Sequence, residues 1–334
     1  MKAMLLRQPG PIEGRPLSLD ELPQPTPGPG QVLIEVSACG LCHTDLHIVE
    51  GELPARKLPV VPGHQIVGRV AALGPGVTRW RVGERVGLPW LYSTCGQCEL
   101  CQQEKENLCP NAQFTGYHAD GGYAQYTVAP EDFAVPLPEG FPDPQAAPLL
   151  CAGIIGFRAL RLSRIGLGQR LGLYGFGASA HIAIQVAVHW GCDVFVFSRS
   201  DAHRVLARGL GAVWTGAAGD PIPARLHSAI IFAPVGGLVP LALEALEPGG
   251  TLALAGIYMS AVPQLDYTRH LYHERTLRSV ANATRQDARD FLRLADEIPV
   301  RTEVEVFSLD QANEALLRLK RGEMRGAGVL QITG

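Results

Sequence analysis

From about residue 152 onward, apolar and polar stretches alternate in blocks. Arg170–Tyr174 reads as a strand, Ala178–His189 as a helix and Val194–Phe197 as a second strand. Asp201–Gly209 then predicts a helix, Ser228–Phe232 a strand, Leu238–Leu246 a helix and Gly250–Ala255 a strand. Strands alternating with helices imply a parallel, doubly wound sheet. The first 150 residues follow another pattern. Short apolar runs such as Val32–Val36 and Ile66–Val70 are cut by Pro and Gly, which predicts a β-rich unit. Pro23–Gly30 reads as a turn-rich connector. Beyond about 284 the pattern predicts a helix over Asp287–Asp296, a strand over Thr302–Val306, a helix over Leu309–Lys320 and a last strand over Gly328–Ile332. The fold class is therefore α/β, with a β-rich unit beside a doubly wound one.

Length agrees with two units, since 334 residues exceed what one core usually supports. A formal net charge of −3 gives no electrostatic case for binding nucleic acid or a membrane surface. Met1–Gly10 lacks an apolar core of signal-peptide length, and no apolar run reaches a membrane-spanning length. A reducing, cytoplasmic setting is expected. Four lysines against 25 arginines fit either a GC-rich genome or a heat-adapted host.

Four of the eight cysteines fall at Cys95, Cys98, Cys101 and Cys109. Four thiolates at C-x2-C-x2-C-x7-C spacing can close a tetrahedral shell around zinc and leave no open position. Such a site folds a loop and does no chemistry, so a reactive site must lie elsewhere. The alternatives are reduced surface thiols or a disulfide framework, and a long chain without secretory marks disfavours the second.

Gly175-Phe176-Gly177-Ala178-Ser179-Ala180 follows an apolar strand and opens a helix. This is G-x-G-x-x-A, a variant of the dinucleotide fingerprint. Gly175 permits a tight turn, Gly177 lets pyrophosphate approach the backbone, and the helix N-terminus presents unpaired N–H groups. After the second strand comes Ser198-Arg199-Ser200, with no carboxylate until Asp201. An acidic residue there would hold the ribose 2′-hydroxyl of NAD. Ser198 and Arg199 suit a 2′-phosphate instead, which favours NADP(H) over NAD(H). The alternative is a solvated surface arginine.

Cys42, His64 and Cys151 are unremarkable one by one. Together they form a three-ligand Cys/His/Cys set that leaves a fourth position on zinc for water or substrate.

Taken in order, the C-H-T-D segment, the G-H segment, the four-cysteine lobe, the C-A-G turn and the dinucleotide loop resemble the zinc-dependent alcohol dehydrogenases of the medium-chain dehydrogenase/reductase family. The resemblance covers the whole chain. It implies a GroES-like catalytic domain over 1–151 and 284–334, with a structural zinc lobe at 95–109. It also implies a Rossmann domain over 152–283, an active site in the cleft between the two, and a homodimer or homotetramer. Two zinc ions per chain follow: a catalytic one on Cys42, His64 and Cys151, and a structural one on Cys95, Cys98, Cys101 and Cys109. Thr44 matches the hydroxyl that bonds the substrate oxygen, Asp45 the carboxylate behind His64, and His47 the outer end of a proton relay through the cofactor ribose. His43 matches a pyrophosphate contact, beside cofactor contacts at Gly175, Gly177, Ala178, Ser179, Ser198 and Arg199. The implied activity is hydride transfer between a nicotinamide cofactor and an alcohol, aldehyde or ketone.

Several residues depart from the family pattern. Gln65 stands where a Glu is common, and Ile155 where a Thr is usual. Ala327 replaces an Arg, with Arg325 nearby. Leu53 replaces a wall Trp, while Trp90 and Tyr117 keep aromatic bulk near the pocket. These changes imply more room than ethanol needs. Other readings are a relative acting on polyols or thiol adducts, and a catalytically silent homologue. The first would need charged pocket anchors, and the second would be expected to lose Cys42, His64 or Thr44.

Overall fold

The computed structural model describes residues 1–298 and 300–333. Pro299 and Gly334, inside the ranges read for the last segment, lie outside them. The chain divides into two compact units: Met1–Cys151 with Asn282–Glu297 and Arg301–Gly334, and Ala152–Ala281 with Ile298–Val300. The return to the first unit thus comes two residues earlier than the sequence pattern suggests.

The first unit is built on a seven-stranded sheet. Along its edge-to-edge path the order is Val304–Ser308, Ala327–Gln331, Gln31–Gly40, Gln65–Leu73, Arg85–Leu88 and Val135–Pro136, with Tyr126–Pro130 also paired to Gln31–Gly40. Gln31–Gly40 is the hub because it is buried at alternate and consecutive positions and pairs with three neighbours. The last strand pairs antiparallel to its far end, Val329 opposite Gly40 and Leu330 opposite Cys39. The C-terminal segment thereby completes the sheet that carries Cys42. The core beneath includes Leu6, Ile34, Ile66, Leu88 and Tyr123, none more than 2% exposed.

The second unit holds a six-stranded sheet in the order Ala212–Gly216, Asp193–Phe197, Arg170–Tyr174, Leu226–Ile231, Leu246–Leu254 and Thr276–Ser279. Every pair is parallel. This is the 3-2-1-4-5-6 order of a doubly wound dinucleotide-binding sheet, whose direction reverses beside the first strand. Helix Ala178–His189 rises from that point. Its core gathers Tyr174, Phe195, Phe197, Ile231 and Leu252.

Helix Asp143–Ser163 is long and apolar enough to cross a membrane, but 72% of its most apolar window is buried inside the protein. Its apolarity is thus that of a core helix.

Candidate metal centres and dinucleotide loop

Strand Gln31–Gly40 ends just before Cys42, which caps helix His43–Glu50. The cap is reciprocal: Thr44 N–H donates to Cys42 Sγ at 3.2 Å, and Cys42 N–H donates to Asp45 Oδ2 at 2.9 Å. This satisfies two otherwise orphaned donors and fixes both side chains before any ligand arrives. The helix stops at Gly51, whose φ of 79° closes the last turn.

His64 comes from the start of the neighbouring strand, behind Gly63. A Cβ on Gly63 would stand 2.3 Å from the Tyr123 ring, and its φ is +95°, so only glycine fits. His64 Nδ1 lies 2.9 Å from Asp45 Oδ1, and its Nε2 lies 3.4 Å from Cys42 Sγ. A carboxylate only accepts, so Nδ1 carries a proton and Nε2 is left to face the sulfur. Both Asp45 and His64 are buried. Cys151, at the end of the helical turn Ala147–Leu150, completes the group: the ligand atoms of Cys42, His64 and Cys151 all lie within 4.8 Å of one another. Zinc bonds of about 2.3 Å to sulfur and 2.0–2.1 Å to nitrogen place S and N about 3.6 Å apart in a tetrahedron. The 3.4 Å between Cys42 and His64 fits that edge.

The electrostatics follow from this crowding. Cys151 donates to Cys42, and that bond, with help from His64, holds the Cys42 thiol well below its ordinary value despite burial. Cys151 is pushed well above its own by the same sharing and by burial. Burial opposes charge on His64, but Asp45 and Cys42 outweigh it and raise His64 to about 10. Burial raises Asp45, partly offset by His64. Zinc takes thiolates and a neutral imidazole, so loading such a site releases these protons.

The second cluster is sulfur only. Cys95 and Cys109 Sγ lie 3.5 Å apart, Cys98 and Cys101 3.5 Å, and Cys95 and Cys101 3.9 Å, with no disulfide. Tetrahedral zinc–sulfur bonds of about 2.3 Å give edges of about 3.8 Å, which this cage matches. The Gln97 and Cys98 backbone N–H groups, then Cys109, hold Cys95 down to about 6. Inside the lobe, buried Glu106 accepts from Arg285 N–H at 2.9 Å, and the Arg285 guanidinium sits 4.8 Å over the Phe133 ring. The lobe is thereby anchored to helix Arg285–Glu297. That contact spans 179 residues, and no local pattern announces it.

Around the first cluster, His47 lies three residues after Thr44 on the same helix, and its Nδ1 faces the Glu52 carboxylate. Thr44 is buried, His43 exposed. Trp90 packs edge-on against His64 with ring centroids 4.9 Å apart, and Phe114 and Tyr117 stack on Trp90 at 4.9 and 6.0 Å. The Tyr117 hydroxyl donates to the Pro54 carbonyl at 2.6 Å. Leu53 is half-buried. Gln65 is buried against Gly40, where a Cβ would meet its Oε1 at 2.8 Å. Ile155 lies half-buried in a helix that the sequence pattern does not reveal, Ala152–Ser163.

In the second unit, Gly175 has φ +87° and approaches Ala233 so closely that a Cβ would sit 2.9 Å away. Gly177 caps helix Ala178–His189, with open space where its Cβ would be. That bare cradle at a helix N-terminus suits a pyrophosphate. Ala178 and Ser179 form the first turn. Ser198 is buried at the end of the second strand, with its Oγ accepting from Ser200 N–H at 3.3 Å. Arg199 is exposed and has no ion pair among the described residues. Arg204, which sequence proximity alone would add to the positive charge, is committed to the Ser198 carbonyl at 2.7 Å and Asp201 at 3.3 Å.

Residues 28–139 match the alcohol dehydrogenase GroES-like domain, and residues 180–297 match the zinc-binding dehydrogenase domain. The chain is 47% identical to the probable alcohol dehydrogenase AdhA of Mycobacterium tuberculosis, over 99% of this chain and 97% of that one. The chain belongs to the zinc-binding alcohol dehydrogenases of the medium-chain family. It is also 37% identical to an alcohol dehydrogenase of Geobacillus stearothermophilus, over 95% of this chain and 96% of the relative. Among solved structures, a cinnamyl alcohol dehydrogenase of Sorghum bicolor superposes with a TM-score of 0.90 at 30% identity, over 99% of this chain and 97% of that one. Family membership makes the chain an oxidoreductase that works with a nicotinamide cofactor, and its two folds are the GroES-like and Rossmann-like ones expected.

Proposed function

We propose that this chain is a zinc-dependent alcohol dehydrogenase and carbonyl reductase that prefers NADP(H), takes medium-length or aromatic alcohols and aldehydes, and carries two zinc ions. The observation that carries the reading is the Cys42, His64 and Cys151 cluster backed by buried Asp45. Cys42, His64 and Cys151 would hold the catalytic ion, and the four lobe cysteines a structural one. When bound, zinc supplies Lewis acidity at the substrate oxygen, and the nicotinamide supplies or accepts the hydride.

The chain's own residues do the rest. Asp45 holds the His64 ring in one tautomer, as carboxylate partners of metal-ligating histidines do. The Thr44 hydroxyl, at the buried start of its helix, would bond the substrate oxygen, accepting its proton as it releases its own. His47, one turn on, would receive the released proton at the outer end of the relay, beyond the cofactor ribose. Glu52 accepts from His47 Nδ1–H and so leaves Nε2 as the basic atom. Trp90, stacked on Phe114 and Tyr117, gives the site a flat apolar wall, and Leu53 leaves room beside it. Arg199 would meet the 2′-phosphate. We read the protein as a cytoplasmic homodimer or homotetramer that uses neither nucleic acid nor membrane. A panel of alcohols, aldehydes and ketones assayed with both cofactors tests the reading. Activity with NADP(H) on medium-length or aromatic compounds, lost on zinc removal, is the expected result.

A further inference from the structure

Strand Asp193–Phe197 ends in a small polar corner. Ser198 is buried there, and its Oγ accepts from Ser200 N–H at 3.3 Å and lies 3.5 Å from His203 Nδ1. His203 stands in the first turn of helix Asp201–Gly209, where its own N–H donates to Ser200 Oγ at 3.3 Å. The residue is exposed, and its ring faces Phe176 of the dinucleotide loop with centroids 6.5 Å apart. The imidazole thus borders both Ser198 and that loop.

The charges around it are already committed. On its own helix, Arg204 pairs with Asp201 at 3.3 Å and donates to the Ser198 carbonyl at 2.7 Å. Arg208, further along, donates to Thr215 Oγ1 at 2.6 Å. On the neighbouring strand end, Ser198 N–H donates to the Gly216 carbonyl at 2.9 Å, and Asp220 there accepts from Ala217 N–H at 2.7 Å. Phe176 brings no charge, and Arg199 follows Ser198 directly. Carboxylates and guanidiniums keep their charge around neutral pH, whereas an imidazole gains or loses its own.

We propose that His203 makes the choice between NADP(H) and NAD(H) depend on pH: protonated, its ring brings a positive charge and a donor to the 2′-phosphate, and neutral, it withdraws both. The inference rests on the NADP(H) reading of Ser198 and Arg199. Ser198 carries part of the effect, because its hydroxyl has one hydrogen and two lone pairs. A neutral imidazole with its hydrogen on Nε2 offers Nδ1 as an acceptor and draws the Ser198 hydrogen to itself. A protonated imidazole donates from Nδ1 instead. Ser198 Oγ then accepts from His203 and Ser200, and its hydrogen is free for the phosphate. The preference for NADP(H) is therefore strongest on the acid side and declines as pH rises through the imidazole range. The phosphate runs the other way, since its second ionisation at about pH 6 strengthens its pull on Arg199 as pH rises. Substitution separates the two trends.

The test is binding of 2′,5′-ADP and of 5′-AMP to the zinc-loaded enzyme, by titration calorimetry between about pH 6 and 8, with no turnover. From the acid to the alkaline end, the preference for 2′,5′-ADP over 5′-AMP should fall about two- to fivefold in wild type relative to His203→Gln, the size of a solvent-exposed ion pair. Repeating the titrations in buffers of different ionisation enthalpy counts protons. Wild type should take up more protons than His203→Gln on binding 2′,5′-ADP, and no more on binding 5′-AMP. His203→Lys should keep the acid-side preference throughout. Matching pH slopes and proton counts in wild type and His203→Gln overturn the proposal. So does an equal loss of both ligands in His203→Gln, which would make His203 an adenine contact. If wild type binds 2′,5′-ADP no tighter than 5′-AMP at any pH, the NADP(H) reading fails and takes the proposal with it.

Discussion

Asp45→Asn is the substitution that probes the candidate metal centre most sharply. Asp45 serves two donors, His64 Nδ1–H and Cys42 N–H, each at 2.9 Å and each on its own oxygen. Asparagine has nearly the same shape but one acceptor oxygen. Either His64 or the Cys42 backbone must then face the amide –NH2. One buried donor left unpaired costs about 1–3 kcal/mol. Loss of the negative charge behind the imidazole also weakens it as a ligand. Zinc affinity at the Cys/His/Cys site should fall about 10–100-fold, the range for partners of ligating histidines. The assay is equilibrium competition against a chelator, with zinc measured by elemental analysis after exchange. Activity should drop at limiting zinc and recover when zinc is added in excess. The lobe zinc should not change, because Asp45 touches none of its four cysteines. Wild-type zinc affinity in Asp45→Asn would refute the placement of Asp45 behind the metal.

Other outcomes follow from the same geometry. His47→Ala should slow alcohol oxidation around neutral pH, with the deficit shrinking as pH rises and hydroxide takes the proton; an unchanged pH–rate profile removes His47 from the relay. Arg199→Ala should cut kcat/KM for NADP(H) by roughly ten- to a hundredfold, the value of a charge-assisted contact, and leave NAD(H) alone; equal losses for both cofactors would mean that Arg199 stacks on the adenine instead. Leu53→Trp should move the best substrate towards shorter alcohols, since each methylene excluded from the wall forfeits about 0.8 kcal/mol; a chain-length profile unchanged from wild type would show that Trp90 already closes the space.

What the sequence made legible was local. The four lobe cysteines sit within one short segment, so their spacing declares a cage. Gly175 and Gly177 fall between a strand and a helix, where their backbone roles are plain. Cys42, His64 and Cys151 are legible only through residue type and the family resemblance, because only the fold brings their ligand atoms within 4.8 Å. Contacts across the chain were not legible at all. Glu106 looks like one charge among several in its loop, yet it is buried against Arg285. Tyr123 looks like an ordinary strand aromatic until its burial is known. Helix Ala152–Ser163 leaves no clear mark in the sequence because Gly153 and Gly156 depress helix propensity; Gly156 is there so that a neighbouring helix can pass, with its Cβ position 2.9 Å from the Ser179 carbonyl. Edge strands Ala212–Gly216 and Thr276–Ser279 are illegible in the sequence because each is short and half-exposed, with little apolar periodicity. The strand Val304–Ser308 starts two residues later than the pattern predicts, since alternation in Thr302–Phe307 has no turn residue to mark its start.

The most direct test of the account is the zinc content of fully active protein, taken through stepwise chelation. The account predicts two zinc ions per chain: one from the Cys42, His64 and Cys151 site, lost under mild chelation together with activity, and one from the four-cysteine lobe, kept until the fold itself yields. A Cys151→Ser variant should retain one zinc, remain folded and be inactive. One zinc per fully active wild-type chain, or full activity in Cys151→Ser, would contradict it.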